Sequence, residues 1–247
     1  MTELILSEIT RMAQGYCIIG LESQGSGFRS VRPMPPRNYA WGHPWPHRRG
    51  DRLQFRLQSL PPAPPHVEDF QAEGPPECPG RLSESELLRC LRAAETGRRT
   101  EEMFGCALRS NPQGGGAAWV NARGATRSIC GCEFRFVRFH WKVDRWRAEL
   151  QLASGENLKS LPIVDRDWSD FLDEAEKLAG SQNPQERVRP FLNGAVAAAI
   201  WKDESRFARL GLARPNPQGA CWLMLDSLFP LPKREWLAKL AAGPGST

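Results

Sequence analysis

The sequence predicts a mainly β protein, and three features carry that prediction. Short runs in which apolar and polar residues alternate recur along the chain. Clusters of Gly, Pro, Asn and Ser separate those runs. Only a few segments show the spacing of an amphipathic helix. A chain of 247 residues fits one large or two small domains, the second being a common size for a pair of barrels. Hydrophobic residues make up 40% and nine are Trp, enough for a core, so disorder is excluded as the default.

The elements follow in order. Leu4 and Leu6 alternate with Ile5 and Ile9, and Tyr16–Glu22 is a short apolar run, so both read as strands. Gln24-Gly25-Ser26-Gly27 is a turn and Phe28–Arg32 a returning strand, which Pro33, Pro35 and Pro36 are expected to stop. Residues 35–50 show no period and read as a loop. Arg52–Leu60 reads as one strand, with Leu53, Phe55 and Leu57 on one side. Seven prolines between 61 and 81 predict extended, irregular chain. Ser83–Ala94 is a helix, capped by Ser83 with Glu86 three residues on and striped by Leu87, Leu88 and Leu91. The 111–116 segment is a turn before a short strand, Ala117–Val120. Further on, Trp168–Leu178 is a helix capped by Asp165 or Asp167, Phe207–Ala213 and Cys221–Leu228 are strands, and Lys233–Leu240 is a closing helix. Asn111-Pro112-Gln113-Gly114 and Asn216-Pro217-Gln218-Gly219 echo each other, each before a Trp. Ordinary turn chemistry explains that as well as a module repeat does.

Residues 132–153 form the clearest hairpin. Phe134 and Phe136 share one parity, while Val137, Phe139 and Trp141 share the other. A bulge near Phe136–Val137 would keep them all inward. Arg135, Arg138, His140 and Lys142 then face outward. On the return strand, Trp146, Ala148, Leu150 and Leu152 face in and Arg145, Arg147 and Glu149 face out.

Cations are the main functional signal. The formal charge is +5, but residues 27–56 alone hold seven Arg (Arg29, Arg32, Arg37, Arg48, Arg49, Arg52, Arg56) against one acid, Asp51. Arginine suits bidentate recognition of phosphate or carboxylate. With Arg135, Arg138, Lys142, Arg145 and Arg147 of the hairpin, these are the candidate nucleic-acid contacts. Tyr39, Trp41, Trp45, Trp141 and Trp146 are candidate stacking residues. A solvated outer sheet face, and Trp packed on the domain's own surface, explain the same residues without a ligand.

Other chemistry finds little support. Cys130-Gly131-Cys132 with His140 lacks a second paired-ligand motif, and prolines separate His43 from His47, so no metal or other cofactor is predicted. No nucleophile elbow, phosphate loop or dinucleotide fingerprint is present, and no catalytic residue is assigned. Glu68 and Asp69 form a possible polar site, in a nuclease reading the metal ligands. An odd set of seven cysteines points to a reducing compartment. No membrane span or signal segment is read, so the expected location is the cytoplasm.

The hairpin Tyr16–Arg32 with Arg29-Ser30-Val31-Arg32-Pro33, Gly50-Asp51 opening a strand, Pro65-His66-Val67-Glu68-Asp69-Phe70, the 130–164 region and Gly219–Pro230 occur in this order. In these motifs the chain resembles the dual OB-containing domain (DuOB) family of bacterial proteins. The resemblance implies two OB-like β-barrel modules with peripheral helices, and a nucleic-acid-binding role beside defence systems. By position it singles out Arg29, Arg32, Glu68 and Asp69. The expected modules are 1–81 and 116–247, joined by a helical, Gly-rich connector at 82–115. The expected function is non-catalytic nucleic-acid binding, single-stranded or structured, within a defence or nucleic-acid-processing complex. A scaffold subunit docking a partner protein and a metal-dependent nuclease are the alternatives.

Overall fold

The computed structural model describes residues 1–37, 40–109, 118–143, 145–180 and 184–242. It is mainly β, with two curled half-barrel sheets, consistent with two OB-like modules. The first sheet holds β1 (Thr2–Met12), β2 (Gly15–Gln24), β3 (Gly27–Met34), β4 (Asp51–Phe55), β5 (Leu57–Ser59), β6 (Asp69–Ala72) and β7 (Glu77–Arg81), in the order β5-β6-β3-β2-β1-β4-β7. The sequence predicts one strand where β4 and β5 stand. Their break at Arg56 lets one stretch pair with β1 through its first half and with β6 through its second. Parallel pairing of β3 with β6 completes the Greek-key order of an OB barrel.

Pro33 does not end β3, as expected from sequence, and the reason is local. Pairing with β2 stops at Val31, so Pro33 stands beside β6 alone and its missing N–H interrupts no ladder there. The Pro-rich stretch expected to be irregular contains β6 and β7. Residues 40–45 fold back on the barrel end: Tyr16 and Trp41 exchange backbone hydrogen bonds at 2.8 Å, and the Trp41 indole donates to the Pro33 carbonyl. Trp45 packs on Trp41, with ring centroids 5.1 Å apart. These loop tryptophans serve the first barrel; Tyr39 lies outside the described residues.

The second sheet holds β8 (Trp119–Asn121), β9 (Ile129–Trp141), β10 (Trp146–Leu152), β11 (Asn157–Pro162), β12 (Phe207–Leu212) and β13 (Ala220–Phe229), in the order β11-β10-β9-β12-β13-β8. A parallel bridge between Ile163 and Leu225 brings β11 back to β13, so the order of the first barrel recurs. Trp119 and Trp222, the residues of the sequence echo, are cross-strand partners in this one sheet and not equivalents in two modules. The turn at 111–116 lies outside the described residues.

The hairpin β9–β10 matches its expected parity except at the bulge. Gln151 pairs with Phe136 and Leu152 with Phe134, which makes Arg135 the extra residue. The shift therefore comes earlier than predicted, and Phe136 turns outward, 39% exposed.

Helices cover the remaining apolar surface. In α1 (Glu84–Arg92), Ser83 and Glu86 form the expected capping box, and Leu87, Leu88 and Leu91 are buried. A one-turn helix, α2 (Thr100–Phe104), follows. Asp165 caps α3 (Arg166–Ala179), accepting from the backbone N–H groups of Asp167 and Trp168. Trp168, Phe171, Leu172 and Ala175 of α3 are buried, whereas Leu178, expected on that face, is exposed. The sequence reading did not anticipate α4 (Pro184–Phe191), α5 (Ala197–Lys202) or the π-helical turn joining them, and α6 (Arg234–Ala242) closes the chain's described part. The Asn193 side chain on that turn bonds both backbone groups of Phe139, where β9 has run past the end of β12. No described helix is long and apolar enough to cross a membrane.

Gly15, at φ +109°, lies so close to the loop that a Cβ would stand 2.0 Å from the Trp41 carbonyl oxygen. Gly15→Ala should therefore cost about 2–5 kcal/mol, combining left-handed strain with overpacking. Gly25→Ala, with open space around it, should cost only the ~1–2 kcal/mol of strain. Denaturant unfolding of the two variants checks the difference.

Candidate functional site

Two cationic regions were expected, and the structure gives them opposite environments. Much of the 27–56 set is consumed in ion pairs. Arg32 donates to Asp69 at 2.7 Å, to His66 Nδ1 at 3.0 Å and to Ser128 at 3.1 Å. Arg49 reaches Asp167 at 2.9 Å, Asp165 at 3.2 Å and the Ser227 hydroxyl at 2.5 Å. Arg29 pairs with Glu22 and lies over Phe70, and Arg52 pairs with Glu3 at 2.8 Å. Arg37, Arg48 and Arg56 remain exposed around the first barrel.

Arg32 and Arg49 belong to a buried ionic seam between the barrels. Its centre is an ion pair that the sequence reading missed: Arg209 of β12 and Glu8 of β1, both fully buried, 2.5 Å apart. Arg209 also donates to Ser30 at 2.5 Å. Across the same boundary, Glu68 accepts from the Ser128 backbone N–H and hydroxyl, each at 2.8 Å. Bulges aim two of these groups. A register shift in β1 between Leu6 and Glu8 leaves Ser7 unpaired, and one in β13 leaves Asp226 as the extra residue. The available signal was a lone charge inside an apolar strand: Glu8 in Leu6–Ile9, Arg209 in Phe207–Leu212, Asp226 in Leu223–Leu228.

The seam has unequal charges. Among the described residues, Glu8, Glu68, Asp69, Asp165 and Asp226 face Arg32, Arg49 and Arg209. Burial, then the charge of Glu8, pushes the Asp226 carboxyl up to about 7. Burial likewise raises Asp165, against the pull of Arg49. Burial, then Arg32 and Arg214, lowers His66 to about 3, so its ring is neutral. A cavity of about 570 Å³ opens beside these groups, lined from both barrels by residues that include Cys17, Arg32, His66, Leu212, Met224 and Asp226.

Glu68 and Asp69, the possible polar site, do come together with Arg32, but as parts of this seam. The Glu68 carboxylate is bonded to Ser128 and that of Asp69 to Arg32 and to Arg214 at 2.6 Å. For metals, Cys130 and Cys132 are buried in β9, the Cys130 thiol raised to about 11 by burial, with His140 eight residues beyond Cys132 on the same strand, roughly 26 Å at ~3.3 Å per residue. The ligand atoms of His47, Asp51 and Cys78 lie within 4.8 Å of one another. Arg81 occupies one Asp51 oxygen at 2.5 Å, and its charge opposes a cation there.

The hairpin cations are arranged differently. Arg135, Arg138 and Arg145 are exposed, Arg147 is half-buried, and with Lys159 on β11 they make no ion pair among the described residues. Arg138, His140, Lys159 and Arg189 line a groove of about 710 Å³, where Glu149 is the acid. Burial, then the neighbouring Arg145, lowers Arg147, and burial lowers His140 against the pull of Glu149, with Lys142, Arg147 and Arg138 adding to the lowering. The Arg138 guanidinium lies 5.9 Å from the ring centroid of outward-turned Phe136. Trp141 and Trp146 pack edge to face, centroids 5.3 Å apart, with Trp146 buried and Trp141 half-buried.

Comparisons with protein-family models, curated proteins and solved structures find no match.

Two outcomes follow from the seam. Arg209→Ala leaves Glu8 buried without its partner and should cost about 3–5 kcal/mol, while Glu8→Leu with Arg209→Met should recover most of it. Chemical denaturation of the single and double variants measures this. The second concerns pH. Asp226, raised when folded, contributes stability that is present below its unfolded pKa, about 4, and is lost as pH rises through about 7. His66, lowered when folded, contributes stability that is lost as pH falls from about 6.5 through about 3. Relative to the parent protein, Asp226→Asn should therefore gain stability as pH rises from about 4 to 7. His66→Gln should lose relative stability as pH rises from about 3 to 6.5. Parallel slopes for the two variants would contradict this assignment.

Proposed function

We propose that the protein binds single-stranded nucleic acid on the outer face of β9, β10 and β11, without itself catalysing a reaction. One observation carries the reading: Arg135, Arg138, Arg145 and Lys159 stand on that face, outnumber Glu149, the cross-strand partner of Arg138, and make no ion pair among the described residues. In an OB barrel, the face of the second and third strands is where oligonucleotides bind, and β10 and β11 hold those places in the second barrel. Unpaired cations release counterions when they meet phosphates. Phe136, exposed beside Arg138, offers a ring on which a base can stack. The resemblance to the DuOB family supports the same reading and extends it to a subunit of a cytoplasmic defence or nucleic-acid-processing complex.

Fluorescence anisotropy with a labelled single-stranded oligonucleotide tests the proposal. Binding should weaken steeply with salt, with a slope of about −0.7 for each phosphate contacted. Arg138→Glu with Lys159→Glu should reduce affinity more than about tenfold, and Phe136→Ala by about fivefold or more. Arg52→Glu, which changes a residue already paired with Glu3, should leave affinity nearly unchanged. An absence of binding at low salt would overturn the reading.

A further inference from the structure

A pocket of about 430 Å³ lies where the end of the β9–β10 hairpin meets α3. Its walls are largely apolar, formed by Trp141, Trp146, Pro162, Ile163 and Leu172. Trp146 holds Trp141 edge to face, centroids 5.3 Å apart. Trp141 is only half-buried, so it leaves ring surface on which a base can stack.

Two charged groups of the lining keep binding capacity. The Trp146 indole donates to Glu176 Oε1 at 2.6 Å and so fixes the carboxylate, while Oε2 accepts from no described residue. Burial raises the Glu176 carboxyl, against the Trp146 hydrogen bond, and Asp173 one turn earlier adds to the rise. Further donors to such a carboxylate would be favourable. Arg145 lines the pocket from the hairpin turn, which the Lys142 N–H closes on the Arg145 carbonyl at 2.9 Å. Its side chain is exposed and makes no ion pair among the described residues. Arg11 and Asp173 also line the pocket, but they are engaged with each other at 2.6 Å and are not called upon.

A carboxylate is an acceptor on both oxygens, so two adjacent donors match it best. Guanine presents such a pair, N1–H beside the N2 amino group. Thymine N3–H is flanked by two carbonyls that a carboxylate repels. In adenine and cytosine the amino group adjoins a ring acceptor. Tryptophan and carboxylate together also suit a cation such as trimethyllysine, but the charge of Arg145 opposes one here and favours a phosphate.

We propose that this pocket selects a guanine of the bound strand, with its donor edge on Glu176, its ring on Trp141 and its phosphate toward Arg145. The inference rests on the outer-face reading, since Arg145 belongs to both.

Fluorescence anisotropy tests it with an all-thymine strand and with strands in which one thymine is replaced. A single guanine should tighten binding about tenfold, the effect of one bidentate contact. Inosine, which lacks the N2 amino group, should give a smaller gain, and adenine or cytosine none. Glu176→Gln keeps an acceptor for the Trp146 indole but sets an amide donor against guanine. It should abolish the guanine gain and leave affinity for the all-thymine strand unchanged. Trp141→Leu, checked for folding by its unfolding transition, should reduce the gain about fivefold. If the all-thymine strand binds and guanine adds nothing, this inference alone fails; if no strand binds at low salt, the outer-face reading fails with it. A guanine gain that folded Glu176→Gln retains also overturns the proposal. Saturable binding of a trimethyllysine peptide without any guanine gain would assign the pocket to a cation and overturn it too.

Discussion

The two barrels meet through buried charge, and the rest of the architecture depends on that seam. Arg209 and Glu8 are both inaccessible to solvent, and Arg32 and Arg49 cross the same boundary to Ser128, Asp165, Asp167 and Ser227. Removing such groups from water costs several kcal/mol per ion, so the seam is a poor source of net stability. What it provides is discrimination. A small slide of one barrel past the other would leave a guanidinium or carboxylate buried and unpaired, a much larger loss than a slide between apolar faces. Phe207 and Phe229 of the second barrel meet Leu21 of the first and the leucines of α1, adding apolar area to the same junction. Hydrophobic contact holds the modules together there, and the ion pairs fix where they sit.

The same logic separates the two groups of cations. An arginine inside a paired seam has its donors directed at carboxylates, and recruiting it to a phosphate would mean breaking those bonds in a low-dielectric setting. On β9–β11, Arg135, Arg138 and Lys159 make no ion pair among the described residues, and Glu149 is the acid set opposite Arg138. Local charge count therefore misleads: the 27–56 stretch holds seven Arg and one acid, yet the acids that neutralise it come from distant positions, Asp69, Asp165 and Asp167 among them.

That explains what could be read in the sequence. Strand parity located the β9–β10 hairpin and most of its inward residues, because alternation is a local property of consecutive side chains. The capping box at Ser83 was legible for the same reason. The bulge position was not, since Phe134 and Phe136 keep the same apolar parity on either side of Arg135, and only pairing with β10 decides which one leaves the core. The division of 51–59 into two strands was hidden because both halves alternate in the same way, while the break at Arg56 reflects barrel closure. The seam was the least legible part. Glu8 and Arg209 look like exceptions in apolar strands until they are seen 2.5 Å apart. Arg32, Arg49, Glu68 and Asp69 were flagged in advance, the arginines as candidate phosphate contacts and the acids as a possible polar site; their placement in the interior needed the fold.

Equivalent faces of the two barrels thus have unequal roles. In the first, the outer side of β1, β2 and β3 presents Glu8, Leu21, Ser30 and Arg32, and all of these are turned toward the junction with the second barrel or α1. In the second, the corresponding side of β9, β10 and β11 presents Arg135, Arg138, Arg147 and Lys159, and stays accessible. The second barrel docks instead through the outer side of β12 and β13, from Arg209 to Ser227. A pair built this way uses one barrel's ligand-type face as its internal joint and leaves the other's open. The composition of the faces agrees with that division, since the buried one couples each guanidinium to a carboxylate and the open one does not.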